Sequence, residues 1–81
     1  MPVVLRVGGF SFTIYYGEHD PPHVHVRTAG ARVILNIESE HEREVHRMSD
    51  VNVWRAQRLV RDHREALLSA WFAIKAKEKG K

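Results

Sequence analysis

The 81-residue chain predicts an α+β fold: an antiparallel β-meander of four to five strands packed on one long C-terminal α-helix, in two layers. Three observations predict it. Apolar residues alternate with period two through the first half. Gly8-Gly9 and Ala29-Gly30 interrupt that alternation where two-residue turns would fall. After Ser49 the apolar period becomes 3.6. The length allows one domain, residues 1–81, with a thin core.

The first two strands are expected at about 3–7 and 10–16. A Gly-Gly turn pairs Val7 with Phe10, Leu5 with Phe12 and Val3 with Ile14, placing six apolar side chains on one face. GEHDPP at 17–22 is a loop, because Gly and two prolines break a strand. Strands at about 23–28 and 31–37 turn at Ala29-Gly30. Parity sets Val26 against Val33 and Val24 against Leu35, so His23, His25 and Arg27 face the other way. ESEHERE at 38–44 is too charged to be buried, and 43–48 is the optional fifth strand.

Ser49 offers an N-cap and Asp50 suits the positive end of the helix dipole, so the helix is expected over about 50–76. Val53, Ala56, Val60, His63, Leu67, Trp71 and Ile74 follow steps of three or four as one stripe. Residues 77–81 form a basic tail. His63 on that stripe reads as a hydrogen-bonded core histidine, and Trp54 and Trp71 as core or interface fillers.

Composition removes several classes. Without cysteine there is no disulfide framework or thiolate metal site, which favours a reducing cytoplasm. The first residues do not read as a secretory signal, and no apolar run reaches a membrane span. Net charge is +3 and unevenly placed. Residues 31–50 carry three Arg against five acids, whereas 51–81 carry four Arg and four Lys against three acids. That asymmetry suits nucleic acid or an acidic partner, and equally a solvated helix with a Lys tail.

The most chemical cluster is His19, Asp20, His23 and His25. His23 and His25 lie two apart on a strand, so their rings project from one face about 7 Å apart. A loop ligand, His19 or Asp20, then completes a site for zinc or another divalent metal, although nothing in the chain requires a cofactor. The same pair, His23 and His25, can divide the general acid and base roles of a ribonuclease without metal. The ordinary alternative is that these are polar strand and loop residues. Arg6, Thr13, Tyr15, Arg27 and Arg32 fall on a polar sheet face able to bind nucleic acid, and Arg55, Arg58 and Arg61 give the helix a basic face. His41 and His46 show no partner. No phosphate-binding Gly loop, Ser-His-Asp arrangement or zinc-protease motif appears.

The stretches PVVLRVGGFSFTIYYGEHDPPHVHV and RLVRDHREALLSAW resemble a bacterial family catalogued as domain of unknown function 4160. The resemblance runs from the P-x-V-L-R-x-G-G-[FY]-x-F start through PPHVHV to the LV-x(4)-EALL-x-AW helix, and it places Pro22, His23, His25 and Trp71 on signature positions. ESEHEREVHRM departs from the shorter connector expected there. The resemblance implies no established activity. It does imply a gene context like that of toxin–antitoxin pairs, and with it a small protein partner and RNA or DNA. The leading expectation is therefore a non-enzymatic binding module of such a pair or of a regulatory pair. Its contacts would be a small protein partner or a second copy, and RNA or DNA, with no membrane. A ribonuclease or metal-assisted hydrolase using His23 and His25, and a metal-binding module, are the alternatives.

Overall fold

The computed structural model describes residues 3–79. Five strands, β1 (Val3–Val7), β2 (Phe10–Thr13), β3 (His23–Thr28), β4 (Ala31–Asn36) and β5 (Glu42–His46), precede two helices, α1 (Asp50–Asp62) and α2 (Arg64–Lys79). The strands form one antiparallel sheet in chain order, a meander.

The turns fix the hairpins. Gly8 and Gly9 have φ of 59° and 81°, and Ala29 and Gly30 have 47° and 79°. Two consecutive positive values match the right-handed twist of the flanking strands. In the second hairpin the expected register is found in full, from His23 opposite Asn36 to Thr28 opposite Ala31. In the first, Val7 pairs with Phe10 and Leu5 with Phe12, but an irregularity then sets Val3 opposite Thr13 rather than Ile14. β2 accordingly ends at Thr13, short of the expected Tyr16, and the chain turns away through Gly17. β4 closes at Asn36: in the next register pair the Ile37 N–H still bonds to the Pro22 carbonyl (3.0 Å), but proline has no N–H to return and the ladder stops. The fifth strand exists and covers Glu42–His46 rather than 43–48.

The expected single helix is two. Ser49 caps α1 by accepting from the Asn52 N–H at 3.2 Å. The break is confined to His63, whose ring Nδ1 donates to the Leu59 carbonyl (2.9 Å), the same oxygen that accepts its backbone N–H (3.0 Å). Two donors on one carbonyl displace the residue from helical geometry (φ −113°, ψ 23°). The ladder resumes at once, with the Leu67 N–H bonding the His63 carbonyl at 3.0 Å. α2 continues through residues expected to be tail; 80–81 lie outside the described residues.

One apolar cluster joins sheet and helices. Phe12, Val24, Val26, Val33 and Leu35 meet Val60, Leu67 and Trp71, all 0–1% exposed. Each such side chain contributes roughly 1.5–3 kcal/mol by leaving water. Trp54 is 55% exposed, so it is not part of this core. Among the described residues no helix is long and apolar enough to cross a membrane.

Candidate functional site

The loop from Ile14 to Pro22 folds back over the start of β3. Its tip is held where the Gly17 N–H donates to the Glu78 carboxylate of α2 (2.7 Å), and its end where the Pro22 carbonyl receives the Ile37 N–H. Gly17 has φ 80°, and the Asp20–Pro21 peptide is cis. This path brings Glu18 onto the side chains of His23 and His25.

The three groups converge on one point. Glu18 Oε1 lies 2.5 Å from His25 Nε2 and 3.1 Å from His23 Nε2. One ligand atom from each of Glu18, His23 and His25 lies within 4.8 Å of the others. Behind the cluster the His23 ring rests on Trp71, centroids 5.1 Å apart, and is 5% exposed. His25 and Glu18 stay partly open to solvent. Both imidazoles were expected to face outward. They do share a sheet face, centroids 5.8 Å apart, but Trp71 covers His23, so only His25 keeps an accessible ring.

Hydrogen bonding fixes a proton. His23 Nδ1 lies 2.9 Å from the Pro21 carbonyl, which can only accept, so Nδ1 carries the hydrogen. In a neutral ring Nε2 then holds a lone pair, and that lone pair faces the Glu18 oxygen. Two acceptors oppose each other unless a second proton or a cation lies between them. Burial pushes the Glu18 carboxyl up, but the His25 hydrogen bond and the charges of His23 and His25 outweigh it and hold the group below the usual 4.5. The carboxylate form is thus the one present near neutrality. The Tyr15 ring meets His25 edge-on (4.6 Å), and its hydroxyl accepts from Arg27 Nη2 at 3.1 Å.

Other candidate residues fall elsewhere. His19 and Asp20 are exposed and lie outside the cluster; Glu18 occupies the place they were expected to fill. Arg6, Arg27 and Arg32 are exposed on the sheet, whereas Thr13 is buried beside His25. On α1, Arg58 stacks over the Trp54 ring (5.1 Å) and Arg61 lies 3.7 Å from Asp62, while Arg55 is exposed. Glu18 was missed because loop residues have no parity to aim them. Its position beside two histidines of the same short segment was the available signal.

The family described as Domain of unknown function (DUF4160) matches residues 9–72, which include the whole cluster. No curated protein and no solved structure matches the chain. His23, His25 and Trp71, all within the matched span, are neighbours in space.

Proposed function

The chain belongs to the domain of unknown function 4160 family, and we propose that it is a metal-assisted hydrolase whose divalent cation, of the zinc class, is held by Glu18, His23 and His25. The observation that carries this is the convergence of three ligand atoms: one each from Glu18, His23 and His25 lies within 4.8 Å of the others, and the Pro21 carbonyl takes His23 Nδ1, so Nε2 is the nitrogen turned to the Glu18 oxygen at 3.1 Å. A divalent cation in place of the ring protons would be held by all three groups. Two histidines and a glutamate are a common catalytic zinc set, leaving one position for water. The Pro21 carbonyl acts as the outer-shell partner that fixes the His23 tautomer. Partial exposure of Glu18 and His25 supports water access to the open position. A cation there lowers the pKa of bound water enough to supply hydroxide near neutrality.

The test is a zinc titration of chelator-treated protein, followed by calorimetry and by histidine NMR signals. One equivalent is expected, with the His23 and His25 resonances moving together and His19 still. Glu18→Gln and His25→Ala should abolish the uptake. Hydrolysis of an activated phosphodiester should appear with zinc and vanish with chelator. Absence of zinc uptake by the folded wild type would remove this reading.

A second reading, a binding module of a toxin–antitoxin-like or regulatory pair, is favoured by β5. All five of its residues are exposed, Val45 among them, and it is one of the sheet's two edge strands. Such an edge can accept a strand from a small protein partner or a second copy. Light scattering across a concentration series separates the copy from a partner.

A further inference from the structure

The registers of all five strands place one residue from each in a single row across the outward face. Arg6 opposes Ser11, Ser11 opposes Arg27, Arg27 opposes Arg32, and Arg32 opposes His46. Residues directly opposite share a face, so three guanidiniums, an imidazole and a hydroxyl form one line. Four strand spacings make the line about 19 Å long. No acid lies in it, and among the described residues none of the three arginines has an ion-pair partner. A shallow depression beside the β3–β4 turn takes in Ser11, Arg27, Arg32 and His46 of the row, but not Arg6.

Adjacent like charges destabilise a sheet. Elsewhere on the surface Arg64 contacts Glu40 and Arg58 lies over Trp54. What sets the row apart is that its three arginines stand in register on one face. It also adjoins the Glu18–His23–His25 cluster. Arg27 follows His25 by two residues on one strand face, about 7 Å away, and Tyr15 touches both side chains.

We infer that this row is the subsite for the phosphates of a single-stranded nucleic acid, the substrate class of the neighbouring metal site. Guanidiniums hold phosphate oxygens in forked pairs. The Tyr15 ring stands between row and cluster, where a base can stack. A single strand fits because its bases are free to meet a sheet and its backbone can follow a straight row of cations. The inference rests on the metal-site reading for its catalytic half, while the row stands on register alone.

The test uses chelator-treated full chain and a fluorescent oligouridylate, with fluorescence anisotropy read across a salt series. Binding should weaken steeply with salt. In Arg27→Gln/Arg32→Gln the slope of log K against log salt should flatten by about 1.4, two single-strand contacts at about 0.7 each. Arg55→Gln/Arg61→Gln on α1 should leave the slope unchanged. A loss that follows the α1 variant, equal affinity for a duplex of the same length, or equal affinity for polyglutamate overturns the inference. Oligouridylate binding without zinc uptake would sink the metal reading and leave the row standing; zinc uptake with no binding would do the reverse. Both row residues are exposed, so the variant keeps its fold, checked by circular dichroism.

Discussion

Around His25 the sheet brings two imidazole nitrogens to within 3.1 Å of one carboxylate oxygen, whereas at Arg27, two residues along β3, it sets arginine opposite arginine with no acid between them. The first arrangement is partly buried, anchored by Trp71 and by backbone bonds at both ends of its loop. The second is open to water, where screening keeps the repulsion small. Burial decides the difference. A polar group that leaves water needs a partner, so the cluster is precisely assembled. An exposed charge can be left unmatched at little cost, ready for a ligand.

The comparison can be broken at its deepest point first. Trp71→Ala removes a side chain with no exposure from beneath His23 and should cost about 3–5 kcal/mol in urea unfolding. If it cost under about 1 kcal/mol, the cluster would not depend on that support. Next, His25→Ala should weaken zinc binding by more than the roughly 10–100-fold typical of an outer-shell partner, with stability at neutral pH nearly unchanged. His23→Ala should weaken zinc binding and also destabilise the chain, because His23 is buried and His25 is not. Equal stability losses in the two variants would contradict the asymmetry.

At the open end the sign reverses. Arg27→Gln or Arg32→Gln relieves a direct like-charge pair and should raise stability by about 0.2–1 kcal/mol, less at high salt. The smallest effect is on pH. Glu18 has a carboxyl held below its ordinary value in the folded chain, so it adds stability above the unfolded pKa and loses it as pH falls through the lower folded value. Acid unfolding of metal-free protein should be shallower in Glu18→Gln between about pH 5 and pH 3. An identical profile would mean that the carboxylate is not stabilised by the two histidines.

Both tight turns, the full β3–β4 register and the helical stripe from Val53 to Ile74 could be read along the chain, because each depends on residues close in sequence. The resemblance to the family was equally readable. Local pattern reached its limit in three places. His63 sits on the same stripe as Val60 and Leu67, so periodicity runs straight through the one residue that breaks the helix. Trp54 reads as a core or interface filler, and its side of α1 faces solvent, which removes the core half of that reading. Glu18, not His19 or Asp20, meets the histidines, because the loop's attachments to α2 and to Ile37 set which of its side chains turns inward.

By itself, then, the sequence determined the strand and helix content, the two hairpin turns and the shared face of His23 and His25, since period and turn chemistry act over a few residues. Tertiary structure alone decided that Glu18 completes the cluster, that Trp71 covers one imidazole, and that the β2–β3 and β4–β5 pairings bring Arg6 and His46 into line with the Arg27–Arg32 pair. These arrangements depend on contacts between segments far apart in the chain, where no local spacing carries the information.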